Sequence, residues 1–192
     1  MGYHTGTGAS LQIGKESTFA SAVQPSALVN LTSESIKLSV EKSDEGSLLA
    51  SKTPQFRDLL GINVDGSVSF VLRPEFAGLL FFLSLGQEGA VTTSGGKHKH
   101  TFTLAGANQD LPSATIVVDR KVSVKKYAGV TISTLTLECP AGDYVKGSFD
   151  LKGVKEEVGA LNPSLTGFTI PSYRCTSATF KVGGSVLDIS SS

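Results

Sequence analysis

The residues best suited to chemistry in this chain are His98 and His100, separated by Lys99. Positions i and i+2 of a strand face the same side, so the two imidazoles make a usable zinc or nickel pair. A third ligand is missing, since His4 is remote in sequence and no aspartate or glutamate lies close. A polar strand start after a Gly-Gly turn accounts for both histidines without a metal. Gly6-Thr-Gly8-Ala-Ser-Leu11 begins like a dinucleotide fingerprint, but it lacks the third glycine and does not join a strand to a helix. There is no Walker lysine motif, no Gly-x-Ser-x-Gly elbow and no segment that pairs a cysteine with a histidine. Glu156 and Glu157 adjoin Lys155 and read as a solvated turn. The expectation is no catalytic residue, no cofactor and no bound metal.

Lys121, Lys125 and Lys126 cluster near Tyr127, an arrangement that could touch a phosphate or stack weakly on a base. The chain as a whole carries 17 basic and 17 acidic residues, so no net field draws it to nucleic acid or to an anionic membrane. A solvated strand face is the simpler account of the lysines. Cys139 and Cys175 are too few for a disulfide scaffold; a bridge between them is open, and two separate reduced thiols suit a cytosolic product. The start of the chain has no basic and apolar leader pattern, and Gly6 stands where a myristoylation signal would carry serine or threonine. The longest apolar run, around residues 79–83, falls far short of the roughly 20 residues of a spanning helix. These features suggest a soluble protein, without membrane contact, that stays in the cytoplasm until it assembles.

The elements that would position these groups are mostly strands, as 21 glycines, many serines and threonines and no tryptophan suggest. Residues 1–27 read as an N-terminal arm with a short strand at 10–14. Within it, Phe19 and Val23 either anchor on a neighbouring surface or fold onto their own domain. Residues 28–192 read as the main β domain. Over 34–41, Ile36, Leu38 and Val40 alternate with Lys37, Ser39 and Glu41, which predicts one face in the core and one in water. Residues 62–72 repeat the pattern, with Val64, Gly66, Val68, Phe70 and Leu72 inward. If the two pair as a hairpin, the excursion over 42–58 is far longer than an ordinary hairpin loop.

One helix is predicted over 74–85. Pro74 suits its first position, Phe76, Leu79, Leu80 and Leu83 share a face, and Gly86 can cap it, whereas Arg73 is a poor N-cap. Further strands are predicted over 99–105, 114–120, 122–127, 130–139, 143–154, 177–182 and 186–189. A phase slip between Ile132 and Leu135 predicts a bulge. Turns fall at 119–120, 140–143 and 183–184. Many short strands with a single helix imply a sandwich or a closed barrel.

The excursion is the part most unlike a passive loop. Lys42, Asp44, Glu45, Lys52, Arg57 and Asp58 mix both charge signs, while Leu48, Leu49 and Phe56 are apolar. Charge pairs that set register, with buried leucines between them, describe a contact between like subunits. The alternative is a flexible tip folded back on its own sheet. With Phe19 of the arm, these residues are the candidate subunit interface.

Residues 8–19 and 31–46, the run Gly66-Ser-Val-Ser-Phe-Val-Leu-Arg-Pro-Glu-Phe-Ala-Gly-Leu-Leu80, and residues 116–120 through 127–137 resemble tail tube (major tail) proteins of long-tailed bacteriophages. The likeness spans nearly the whole chain in matching order. It implies a mainly β subunit, a sandwich or barrel of the phage tail tube type with one flanking helix and a long hairpin loop. Six copies would form a ring whose inner strands join into a barrel, and rings would stack into a hollow conduit for double-stranded DNA entering the host. It also implies that the 42–58 loop reaches an adjacent subunit or ring and that terminal arms help stacking. Partners would be the tail tip, tape measure and terminator proteins, with genomic DNA passing unread. The location would be the virion tail, after assembly in host cytoplasm. Such proteins often continue past the equivalent of Ser192. A related inner-tube protein of a contractile or secretion-type system is an alternative, as is a monomeric β-sandwich binding module.

Overall fold

Strands form where apolar and polar residues alternate, and the computed structural model describes residues 8–44, 57–177, 180–182 and 185–187. β1 (Ser10–Lys15), β2 (Ala27–Val29), β3 (Leu31–Glu34), β4 (Lys37–Asp44) and β5 (Arg57–Val71) lead to the helix α1 (Pro74–Leu85). β6 (Gly86–Glu88), β7 (Thr92–Ser94), β8 (Lys97–Lys99), β9 (Phe102–Leu104), β10 (Ala114–Asp119) and β11 (Val124–Glu138) follow. β12 (Lys146–Gly153), β13 (Lys155–Val158), β14 (Phe180–Val182) and β15 (Ser185–Leu187) complete the order. Among the described residues, nine strands make one antiparallel sheet in the order β2-β1-β10-β11-β12-β5-β3, with β13 beside β11 and β4 beside β5.

This sheet is a curled half-barrel, and one ion pair shows why it must curl. Arg120 follows β10, while Glu34 ends β3, and Nε and Nη2 of Arg120 reach the two carboxylate oxygens at 2.7 and 2.8 Å. Four strand steps separate β10 from β3, about 19 Å across a flat sheet. A side chain spans that only if the sheet bends round on itself.

The inside of the curl holds the core, where Leu11, Ile13, Val64, Val68, Phe70, Ile116, Val118, Tyr127, Phe149 and Leu151 are almost fully buried. α1 plugs the open side. Phe76, Ala77, Leu80 and Leu83 are buried, while Leu79 packs only partly, and Phe76 meets Phe70 edge-on at 5.3 Å between ring centroids. Burial of Phe76, Leu80 and Leu83 contributes about 1.5–3 kcal/mol each. Gly86 ends the helix with φ +95°, donating its N–H to the Phe82 carbonyl, a left-handed cap that side chains with a Cβ resist. Arg73 offers no side-chain cap, as expected.

Of the two alternatives open for the first residues, β1 and β2 fit packing on their own domain, since β1 lies between β2 and β10. Other sequence expectations are corrected. The separate strands expected over 122–127 and 130–139 are one strand, β11, which continues through Gly129 at φ +65°. A Cβ at Gly129 would lie 2.6 Å from Val154, so glycine permits this crossing. The expected bulge is present, as a register shift between Ile132 and Thr134. Glu156 and Glu157 sit on β13, paired with β11, rather than in a solvated turn. The strand expected over 99–105 is only β9, preceded by the small β7–β8 hairpin.

The two cysteines are not separate thiols. Cys139 and Cys175 are disulfide-bonded, with Cα atoms 5.5 Å apart. The Tyr144–Arg174 bridge and the bond from Cys175 N–H to the Asp143 carbonyl bring the later segment beside the end of β11.

Candidate subunit-contact surface

The long hairpin begins inside the sheet and leaves it. β4 and β5 pair from Lys37↔Asp65 to Asp44↔Arg57, so pairing shortens the excursion to residues 45–56. On one face, Val64 is fully buried, Leu38 opposite it is 37% exposed, and the next pair, Val40 and Ile62, is 41% and 45% exposed. The alternation that predicts core residues at Leu38 and Val40 is real, but the core stops short of them. The hairpin carries its apolar face outward as a two-stranded ribbon, an arrangement only marginally stable alone in water. The outer edge of β4 has no strand partner among the described residues, and neither does that of β2. Such edges are templates for pairing with another chain.

Of the residues expected at a subunit contact, Lys42 is exposed near the end of this ribbon, and Asp44, Arg57 and Asp58 occupy its last paired positions. Glu45, Leu48, Leu49, Lys52 and Phe56 lie outside the described residues. Phe19 sits on a separate element, the turn after β1, where it is 59% exposed and lines a groove with Ser17, Asp110, Leu111 and Pro112.

Beneath that groove lies a network that sequence reading missed. Glu16 is buried, and its carboxylate accepts from Ser113 Oγ, Thr115 Oγ1, Gly129 N–H and Ala20 N–H at 2.6–3.1 Å. A buried charge tolerates burial only with such partners, so Glu16 fixes the turn carrying Phe19 against β10 and β11. Gln12 does the same for the residues around Asn162, exchanging two hydrogen bonds with its backbone.

The basic cluster is already spoken for. Lys121 pairs with Asp119 at 3.1 Å, Lys125 with Glu156 at 2.6 Å and Lys126 with Glu157 at 2.8 Å. Lys126 and Lys155 hold the Glu157 carboxyl down at about 2, so its charge persists at any ordinary pH. The Arg120 guanidinium likewise holds Glu34 below the usual carboxylate range.

The histidines do not converge on a shared ligand. β8 ends at Lys99, so His100 lies beyond it, and its Nδ1 meets Glu88 Oε1 at 2.9 Å, while His98 Nδ1 meets Thr93 Oγ1 at 3.0 Å. The sequence suggests no carboxylate near them, but the β6–β9 pairing brings Glu88 in. Among the described residues, no three His, Cys, Asp or Glu side chains stand close enough to hold one metal ion.

The face of β11, β12 and β5 turned away from the core is polar. Thr136, Ser148 and Ser69 align across the three strands, as do Thr134, Asp150 and Ser67, with Lys146, Lys152, Glu138 and Asp65 around them. Positive and negative groups nearly cancel there.

The sequence profile of one family, described as phage tail tube protein, matches residues 6–192. No curated protein matches by sequence. Among solved structures, a chain in the tail of an empty gene transfer agent particle with C6 symmetry is 17% identical over 78% of this chain and 96% of that one, at a TM-score of 0.44. A chain in the virion of a native gene transfer agent is 12% identical over 82% and 100%, at 0.46. A chain in the sheath–tube complex of an extracellular contractile injection system is 10% identical over 80% and 88%, at 0.42.

Proposed function

This chain belongs to the phage tail tube protein family, structural proteins of the virion tail, and from that premise we propose that six copies close into a ring and that rings stack into a hollow tube. The observation that carries the reading is the β4–β5 ribbon, which presents Leu38, Val40 and Ile62 to solvent beside an unpaired strand edge. Covering the part of each side chain still exposed would recover roughly 0.5–1.3 kcal/mol, which a neighbouring copy can supply and the isolated subunit does not. A half-barrel with free margins becomes a closed structure when its edges meet those of identical neighbours. Lys42, Asp44, Arg57 and Asp58, with the loop residues Glu45, Leu48, Leu49, Lys52 and Phe56, set the register of that contact, and Phe19 offers a second one.

The polar face of β11, β12 and β5 lines the lumen. Its serines, threonines and cancelling charges give DNA phosphates no strong partner, so the duplex slides. The protein has no catalytic step to perform. Its ends in the assembled tail meet the tip and terminator proteins, the tape measure occupies the lumen before DNA does, and assembly takes place in host cytoplasm.

Negative-stain electron microscopy of the concentrated protein tests this. Rings or tubes roughly 100 Å across are expected, from a subunit radius of gyration of about 13–17 Å. A population that stays monomeric as concentration and time increase would overturn it.

A further inference from the structure

The segment over residues 166–176 crosses one end of the half-barrel without a single buried residue. Polar contacts tie it down. Glu75 Oε1 accepts from Thr169 N–H, Thr169 Oγ1 and Ile170 N–H at 2.6–3.1 Å, and Arg73 donates to the Ile170 carbonyl at 2.7 Å. Tyr173 exchanges backbone bonds with Leu72 and Val145. The Glu75 and Arg73 bonds are exposed to water, which competes for each of them. The Cys139–Cys175 bond is the covalent tie on the strap, and it lies where reagents can reach it, with Cys139 exposed and Cys175 half-buried. Beyond it, β14 and β15 pair only with each other among the described residues.

We propose that Cys139 and Cys175 form a reversible redox latch that locks this strap onto the end of the half-barrel. The co-reactants are small dithiols and small disulfides. To open it, one thiolate of a dithiol attacks a sulfur of the pair, and the other cysteine leaves as thiolate. The second thiol of the reagent then closes on the first. Two electrons and two protons pass to Cys139 and Cys175, and the reagent becomes a cyclic disulfide. Closing reverses this with a disulfide such as oxidised glutathione, which accepts the two electrons and leaves as two thiols. With the latch open, the polar contacts and the Arg73 guanidinium stacked over the Phe168 ring at 4.3 Å are what hold the strap, and it opens locally without unfolding the sheet. The latch rests on strap geometry and not on ring formation, so a failure of the tube reading leaves it standing.

Amide hydrogen exchange on the full chain tests it, after oxidised glutathione and after dithiothreitol. On reduction, the Thr169, Ile170, Tyr173 and Cys175 amides should exchange about tenfold faster or more, while Val117 and Val118 in β10 stay protected. Peptide mapping of the oxidised sample should show the Cys139–Cys175 crosslink. Cys139→Ser and Cys175→Ser should each give fast strap exchange in both conditions. Equal strap protection in the two redox states, absence of the crosslinked peptide, or a serine variant as protected as the oxidised protein would overturn the proposal.

Discussion

At the scale of single residues, long-range ion pairs matter most, and Arg120–Glu34 is the clearest because it joins strands that are distant in the sheet. Glu34 is the partly buried member, with 13% of its side chain accessible against 33% for Arg120. Its carboxyl is held below the ordinary range by the Arg120 hydrogen bonds. The folded state therefore binds the proton less readily than the unfolded chain. The stabilisation is fully present above the unfolded carboxylate range and fades as pH falls through the lowered folded value. Glu34→Gln should cost about 1–2 kcal/mol at neutral pH, a figure reduced for the exposure of Arg120. Urea denaturation of both proteins at about pH 7 and about pH 3.5 should show the gap narrowing in acid. A gap that stays constant would mean that the pair does not titrate as described. None of this was legible in the sequence, because Glu34 and Arg120 lie far apart along the chain. The same blindness affected Lys125 and Lys126, whose partners on β13 arrive only through strand pairing. Glu16 gives no signal either: a carboxylate in a polar stretch looks solvated until the hydroxyls of Ser113 and Thr115 close over it.

Elements were easier to read, because periodicity is local. The helix stands out through Pro74, its apolar spacing and Gly86. Gly129 hid the continuity of β11, since a glycine between two alternating stretches looks like a break. The brief strands β2, β3 and β13 were too short to show a period. Alternation over 34–41 marked a strand correctly but could not say what would cover its apolar side, and here the subunit itself does not. That gap is testable. Replacing Leu38, Val40 and Ile62 together by threonine, a β-former, should leave the melting temperature within about 2–4 °C of the parent, since surface changes of this kind are usually small. Ring and tube formation should be abolished, as read by sedimentation and electron microscopy. Tubes of normal abundance from the triple variant would show that the ribbon is not a contact.

At the scale of the whole molecule, the proposed ring needs an inward surface. The ribbon and the unpaired edges lie at the margins of the curled sheet, and the helix fills its concave side. What remains is the polar face of β11, β12 and β5, broad enough to contribute a panel to a lumen. A surface passed by DNA should lack unpaired cations, because each phosphate neutralised adds affinity that depends steeply on salt. Ser69 and Ser148 sit directly opposite each other in the middle of this panel and are only half exposed. Ser69→Lys with Ser148→Lys should assemble normally, since neither residue contributes to the core or the ribbon. Tubes of the double variant should then retain short duplex DNA at low salt, with log affinity falling by about 0.9 for each phosphate contact per decade of salt. Virions built with it should release their genome more slowly at low ionic strength and recover as salt rises. If variant tubes hold no DNA and release matches the parent at every salt concentration, this face does not line the passage, and the inward surface must be sought on the side bearing β13 and the strap.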